Sequence, residues 1–297
     1  MSIIENALKK ANNQVLVDNK PKVVTQPPVD ADQAVIVKVE NSAENNEVKV
    51  PLDNQVSINW KALAEEGFID HNDSKSQLAE EFRVIKRPLV NNIQGAEANG
   101  ISRSNLILIC SSLPGEGKTF ISINLALSIA NELDKSVLLI DADVEKPSIS
   151  KQLGIKQSPG LIEYLENDKI TFSDIMLKTD LDNLNVIPAG KRHKYSTELL
   201  SSQRMYHFAE EVSRRYKDRI VIFDSPPLLV ATQAQILAEL VGQVVLVIAA
   251  EETPQSVVND SIAKLANCDV VMTLLNKTKK ELDLYGYNYG YGKYGHP

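Results

Sequence analysis

The sequence predicts an α/β protein with a doubly wound, mostly parallel sheet flanked by helices. Short apolar runs recur from residue 106 onward, helical segments separate them, and the first run leads into a glycine-containing turn that opens a helix. Apolar runs of four to six residues are typical of strands that are buried on both faces of a sheet. The helices between them provide the right-handed crossovers that parallel strands require.

The elements follow from these patterns in chain order. The spacing of Leu78, Phe82, Ile85 and Leu89 predicts an amphipathic helix, which Pro88 should end or kink. The predicted strands are 106–110, 137–140, 184–187, 220–223, 244–248 and 270–275. The predicted helices between them are 119–133, 197–215, 231–240 and 255–267.

Composition divides the chain into four segments. Residues 1–16 predict a short amphipathic helix, and the proline-containing residues 17–57 show no hydrophobic period and predict a disordered linker. Residues 58–276 predict the folded domain, and residues 277–297 predict a flexible tail rich in tyrosine and glycine.

Charge and hydropathy exclude several classes of protein. The net charge of -7 disfavours nucleic acid as a partner. The longest apolar stretch, residues 241–250, is about half of a membrane span, and the first residues lack a signal-peptide core, so we expect a cytoplasmic protein. Cys110 and Cys268 lie in apolar runs and predict neither a disulfide framework nor a metal site.

A phosphate-binding motif follows the strand that ends at Cys110. Residues 111–119 read SSLPGEGKT and lead into a helix, whose N-terminal amides and dipole attract phosphate. Lys118 is expected to reach the β- and γ-phosphates, and Thr119 to offer its hydroxyl to Mg²⁺. Because Ser112 stands where the usual motif has its first glycine, we predict a P-loop NTPase of the deviant Walker type. The predicted nucleotide-binding residues are Ser112, Leu113, Pro114, Gly115, Glu116, Gly117, Lys118, Thr119 and Phe120.

Two later strands end in carboxylates. Asp141 and Asp143 follow strand 137–140, and Asp224 follows strand 220–223. Ligands of such sheets collect at the carboxyl ends of the strands, and Mg²⁺ prefers oxygen ligands. Each aspartate alone would suit a turn or a cap. Together with the loop they predict catalytic residues Lys118, Asp141, Asp143 and Asp224, and metal ligands Thr119, Asp141 and Asp224.

The nucleotide is predicted to be ATP. Residues 276–279, Asn-Lys-Thr-Lys, are similar to the guanine-reading N-K-x-D motif, but Lys279 replaces the carboxylate that would accept hydrogen bonds from the guanine ring. This substitution favours ATP over GTP.

The P-loop, the D-x-D segment and the Asp224-Ser225-Pro226-Pro227 segment together resemble the bacterial tyrosine kinases (BY-kinases), over about residues 77–295. Residues 85–89, 141–148 and 187–190 are most similar to the exosortase-associated tyrosine autokinases. The resemblance implies a kinase that uses ATP and Mg²⁺, phosphorylates its own C-terminal tyrosine cluster in trans, and regulates exopolysaccharide synthesis or export. It also implies a homo-oligomer of the ring-shaped kind that the family forms, and a membrane-embedded polysaccharide co-polymerase that activates the kinase at the inner face of the membrane.

The resemblance assigns further residues. The family's E-x-x-R-x-x-R helix, which contacts a neighbouring subunit, appears as Glu80, Arg83 and Lys86. The predicted phosphoacceptors, which alternate with small residues in the tail, are Tyr285, Tyr287, Tyr289, Tyr291 and Tyr294. Taken alone, such a tail would suit a set of phosphoacceptors no better than an aromatic self-association element or plain disorder.

The resemblance leaves some roles open. Asp141 or Asp143 orients or deprotonates the incoming phenol, and the sequence does not separate the two. Many family members have Arg where this chain has Glu145, so a phosphate-stabilising role shifts to Lys146. The second interpretation is a non-kinase ATPase switch of the ParA/MinD kind that controls a membrane partner. Leu113 disfavours it by replacing that group's signature lysine.

Overall fold

The computed structural model describes residues 54–70, 75–132, 134–156, 158–215 and 219–279. The predicted N-terminal helix, most of the predicted linker and the tail tyrosines lie outside these ranges. Within them, the fold is an eight-stranded sheet with helices on both faces, which confirms the predicted fold class. No helix in these ranges is long and apolar enough to cross a membrane.

The strands are short and mostly buried. In chain order, β1 to β8 are Gln55–Val56, Leu106–Ser111, Ser136–Asp141, Leu177–Thr179, Leu184–Ile187, Arg219–Asp224, Gln243–Ala249 and Val270–Asn276. Their order across the sheet is β1-β4-β5-β3-β6-β2-β7-β8, and every pairing is parallel except the one between β4 and β5.

Helices fill the connections. In chain order, α1 to α11 are Trp60–Glu65, Gln77–Gln94, Ala96–Asn99, Lys118–Ala130, Ile149–Leu153, Leu161–Glu166, Phe172–Ile175, Ser196–Leu200, Gln203–Arg215, Thr232–Ala238 and Gln255–Lys264. The helix that follows the phosphate motif, α4, is buried at every position from Ile121 to Ala130.

The sheet separates two hydrophobic clusters. Leu106, Leu108 and Cys110 of β2 pack on one side, and Ile107 and Ile109 of the same strand pack on the other. This alternation follows from the period of two along a strand. Because both faces of β2 are buried, the loop after it rests on a rigid support.

Three expectations need correction. Strand β1 pairs with β4, so the folded part includes residues that the sequence assigned to the linker. The predicted helix 197–215 is divided into α8 and α9. Helix α2 does not end at Pro88 but continues to Gln94, and the carbonyl that loses its partner belongs to Val84, whose side chain lies on the exposed face.

Lys86 faces inward. Its side chain is buried, its Nζ lies 2.6 Å from Glu132 Oε1, and it donates to the Ser128 carbonyl at 2.7 Å. The ammonium thus joins α2 to the C-terminal end of α4, where a cation is favourable. Both contacts lie within the chain, and the role of Lys86 between subunits stays a prediction. Glu80 and Arg83 form an ion pair on the exposed face, and their role between subunits stays a prediction.

We expect Lys86→Met to lower the free energy of unfolding by about 1–2 kcal/mol, because it removes a partly buried ion pair and a hydrogen bond to a helix end. Urea denaturation measures the change. The control is Lys61→Met, which removes an exposed pair with Glu65 and should cost less than about 0.5 kcal/mol. Equal costs for the two variants would show that the Lys86 contacts are not stabilising.

Candidate active site

The site lies at the carboxyl ends of three adjacent strands. Strand β2 lies next to β6, which lies next to β3, so the phosphate motif and both aspartate segments meet at one edge of the sheet. Asp141 and Asp224 are direct partners in the register of β3 and β6. The structure therefore brings together the four predicted catalytic residues.

Lys118 begins helix α4 and points toward the carboxylates. Its Nζ lies 2.9 Å from Asp143 Oδ2. Burial alone would lower the pKa of Lys118, but the charges of Asp224 and Asp143 outweigh burial and raise the pKa. The lysine therefore stays a cation.

Asp224 is buried and accepts two hydroxyl hydrogen bonds. Thr119 Oγ1 donates to one carboxylate oxygen at 2.7 Å, and Ser122 Oγ donates to the other at 2.9 Å. Burial raises the pKa of Asp224, although Lys118 and these hydrogen bonds act in the opposite direction. Ser122 lies one turn after Thr119 and so faces the same carboxylate.

Asp141 is the least compensated group of the site. Its Oδ2 accepts from the backbone amides of Ser148 and Ile149, each at 3.0 Å. Its Oδ1 is buried and has no hydrogen-bond partner in the described part of the chain. Burial and the charge of Asp224 raise the pKa of Asp141 to about 8. A buried, unpartnered carboxylate oxygen is a place where a cation would bind.

These residues fit a magnesium ion. The described residues contain no cluster of three or more His, Cys, Asp or Glu arranged for a metal. Mg²⁺ commonly needs only one or two carboxylates, because waters and substrate phosphates complete its coordination. Asp141 Oδ1, Asp224 and the Thr119 hydroxyl are suitable oxygen ligands.

The phosphate loop is held in shape from inside. Glu116 is buried and accepts from the Leu113 amide at 2.6 Å and from the Thr253 hydroxyl. Asn276, at the end of β8, donates to the Glu116 carbonyl at 2.8 Å. Gly117 has a φ of +96°, and a Cβ there would lie 2.1 Å from Asn276 Nδ2, so the position requires glycine.

The loop borders an open cavity of about 610 Å³, a size typical of small-molecule sites. Other parts of its lining are Glu145, Thr197 of α8 and Gln233 of α10. Of the predicted nucleotide-binding residues, six line the cavity, namely Pro114, Gly115, Gly117, Lys118, Thr119 and Phe120.

The other three predicted nucleotide-binding residues are placed differently. Ser112 is buried and accepts from Ser261 Oγ at 2.8 Å, while the Leu113 amide and the Glu116 carboxylate bind each other. In this structure they shape the loop and do not line the cavity.

The sequence did not identify several residues that position the site. Ser122 could have been found, because a hydroxyl one helical turn after Thr119 must share its face. Ser148, whose Oγ lies 3.1 Å from Thr119 Oγ1, and Thr253 come from distant segments and carry no local signal. The sequence pattern associated Asn276 with recognition of the nucleotide base, whereas in the structure its side chain supports the phosphate loop.

Comparison with known proteins agrees with this geometry. The family model described as an AAA domain matches residues 104–282, which places the chain among the P-loop NTPases. Tyrosine-protein kinase YwqD of Bacillus subtilis is 32% identical over 219 residues, covering 74% of this chain and 88% of YwqD. The chain therefore belongs to the bacterial tyrosine-kinase family.

Two further similarities extend this result. The succinoglycan biosynthesis transport protein ExoP of Rhizobium meliloti is 32% identical over 234 residues, covering 74% of this chain but only 28% of ExoP. The solved kinase domain of the Escherichia coli tyrosine kinase ETK has a TM-score of 0.55 and 28% identity, covering 67% of this chain and 80% of that domain. The chain thus spans nearly all of some relatives and about a quarter of others.

Asp141 predicts how stability depends on pH in the absence of metal. Its pKa in the fold exceeds the ordinary value of about 3.9, so the stability that its proton provides is complete below that value and is lost as the pH rises through about 8. Asp141→Asn does not titrate, and its amide can donate to Asp224. Its stability advantage should therefore grow by about 2 kcal/mol between pH 6 and pH 8.5.

Urea denaturation at a series of pH values, with a metal chelator present, measures this difference. Comparing the two proteins at each pH cancels the titration of the groups that do not interact with Asp141. A constant difference across the range would contradict the raised pKa of Asp141.

Proposed function

We propose that this protein is an ATP-dependent protein-tyrosine kinase that phosphorylates its own C-terminal tyrosine cluster in trans. The observation that carries the proposal is the Lys118–Asp143 pair, which lines the cavity next to the buried carboxylates Asp141 and Asp224. A cation for phosphate, an oxygen site for metal and a carboxylate in the cavity wall are the parts that phosphoryl transfer requires. Family membership supports the same activity.

The positions of the carboxylates suggest a division of roles. Asp143 lines the cavity, whereas Asp141 does not, and one oxygen of Asp141 has no hydrogen-bond partner among the residues that the structure describes. We therefore assign the incoming phenol to Asp143, which would orient it and accept its proton. Asp141, Asp224 and Thr119 would hold Mg²⁺, which neutralises the phosphate charge when bound. Lys118 would bind the β- and γ-phosphate oxygens and move from its present partner Asp143.

The tail is suited to be the acceptor. Its five tyrosines lie within residues 285–294 and are interleaved with glycines, which have no side chain to hinder access to the phenols. The preceding strand ends at Asn276, in contact with the phosphate loop. Fully extended, residues 277–284 would span about 30 Å, which allows the tail to enter the site of a neighbouring subunit. Phosphates on the tail would then repel one another and loosen an oligomer.

The biological setting is also part of the proposal. ExoP is named for succinoglycan biosynthesis and transport, which supports a role in exopolysaccharide synthesis or export. We propose a membrane-embedded polysaccharide co-polymerase as the activating partner, and peripheral association with the inner face of the membrane through it. The exposed pair of Glu80 and Arg83 on α2 is the proposed contact in a ring-shaped homo-oligomer.

Autophosphorylation tests the proposal directly. Purified protein incubated with ATP and Mg²⁺ should accumulate phosphotyrosine. Lys118→Met and Asp143→Asn should each reduce the rate at least about 100-fold, because they remove phosphate binding and proton acceptance. Deleting residues 285–297 should remove most of the signal while ATP binding persists. Mass spectrometry and a nucleotide-binding assay measure both properties.

The matched control is Lys135→Met. Lys135 pairs with Asp134 just before β3, at the opposite edge of the sheet, and its loss should leave the rate unchanged. If the wild-type protein hydrolyses ATP but forms no phosphotyrosine, the ATPase switch would be favoured. Full activity of both Lys118→Met and Asp143→Asn would refute the assigned site.

A further inference from the structure

The segment after β5, residues 190–194, carries a cluster of exposed cations and is called the cationic loop below. Lys191, Arg192 and Lys194 lie within four residues of one another, and all three are exposed. Among the residues that the structure describes, none of the three pairs with a carboxylate. Their charges are therefore available to an acidic partner.

Helix α6 holds the cationic loop in shape. Gly190 has a φ of +88°, a conformation that favours glycine. The Lys191 amide donates to Glu163 Oε1 at 3.0 Å, and His193 Nε2 lies 3.4 Å from Glu166 Oε1. These contacts fix the loop through its backbone and its histidine, and they engage none of the three cationic groups.

The cationic loop lies at the same edge of the sheet as the phosphate loop. It follows the carboxyl end of β5, which pairs in parallel with β3, the strand that leads to Asp143. Three residues after Lys194, Thr197 lines the cavity and accepts from Gln233 Nε2 at 2.7 Å. Since consecutive Cα atoms are about 3.8 Å apart, the Cα atoms of Lys194 and Thr197 lie within about 11 Å of each other. The loop therefore lies beside the cavity.

The start of the tail has acidic residues at a suitable spacing. Glu281 and Asp283 lie four and two residues before Tyr285, the first predicted phosphoacceptor. An extended chain spans about 3.4 Å per residue, so Tyr285 can lie up to about 14 Å from Glu281. A Glu281 carboxylate bound at Lys194 would thus bring the Tyr285 phenol within reach of the cavity.

The geometry favours the tail of a second copy over the chain's own tail. Lys279 Nζ lies 2.8 Å from Oε2 of Glu251, which follows β7, and β7 lies four strands from β5 in the sheet. At about 4.8 Å per strand, this separation is about 19 Å. Glu281 is two residues beyond Lys279, which adds only about 7 Å of extended chain. The tail of a second copy has no such limit.

We propose that Lys191, Arg192 and Lys194 form a docking surface for the acidic start of the tail of a second copy. This inference rests on the proposed kinase function and names the surface that recognises its substrate. Complementary charges at an exposed surface promote encounter and fix register. The cavity residues carry out the transfer itself, so the loop acts on the affinity for the acceptor and not on the rate of transfer.

Transfer between two isotopically distinct chains tests this surface. The full chain serves as the enzyme, and nitrogen-15-labelled Lys118→Met chains serve as acceptors, whose tail phosphate is measured by mass spectrometry at a series of acceptor concentrations. In the enzyme, Lys191→Gln with Arg192→Gln should raise the KM for the acceptor about fivefold and leave kcat within about twofold, because each exposed ion pair adds only modest affinity. Salt at about 0.5 M should remove most of this difference.

The matched control removes the same charge at the opposite edge of the sheet. Arg214 and Arg215 are exposed and end α9, shortly before the first residue of β6. Arg214→Gln with Arg215→Gln in the enzyme should leave the KM for the acceptor unchanged.

A second pair of changes identifies the partner of the loop. In the acceptor, Glu281→Gln with Asp283→Asn should raise the KM about as much as the change in the loop does. Loop and tail changes together should cost little more than either alone, because both remove the same contact.

Two results would overturn the docking surface while leaving the kinase function intact. One is an unchanged KM in the loop variant; if that variant also loses binding to vesicles of phosphatidylglycerol and phosphatidylcholine, the cations serve a membrane instead. The other is a combined effect equal to the product of the separate loop and tail effects, which would show that the loop does not contact the tail. Absence of tail phosphate with the wild-type enzyme would refute the kinase function and this inference with it.

Discussion

Two carboxylates in an interior with a low dielectric constant form the constraint around which this site is arranged. The parallel register of β3 and β6 puts Asp141 directly beside Asp224, and both side chains are fully buried. Like charges so placed repel each other strongly. Lys118, two hydroxyls and two backbone amides compensate part of this charge, but one oxygen of Asp141 has no hydrogen bond among the described residues. The fold thus holds a place that magnesium would complete.

The phosphate loop and the helix after it carry groups that compensate the charge of these two carboxylates. The backbone of the loop is fixed by Glu116 from within and by Asn276 from β8, so Lys118 and Thr119 are held toward the carboxylates. Lys86 secures the far end of the same helix to α2. Helix α4 therefore joins the nucleotide site to α2, on which the proposed subunit contact lies.

The sequence predicted what local periodicity and motif spacing can encode. Buried strands such as β2 and β3 are continuous apolar runs, and the order of strand, turn and helix located Lys118 and Thr119. Strand β1 was not predicted, because two residues carry no period and pair only through β4. The inward position of Lys86 also depends on α4, whose packing α2 alone does not reveal. Contacts such as Ser148 to Thr119 join segments whose proximity arises only from the fold.

Titration of ATP into the metal-free protein at pH 7.5, with and without Mg²⁺, tests the central claim most directly. We expect Mg²⁺ to raise the affinity for ATP at least about tenfold. Asp141→Asn should still bind ATP but lose most of that gain, because its single amide oxygen would accept from the Ser148 and Ile149 amides and an NH₂ group would replace the oxygen offered to the metal. Equal affinity with and without Mg²⁺, or a full gain in Asp141→Asn, would contradict the claim that this carboxylate pair is a magnesium site.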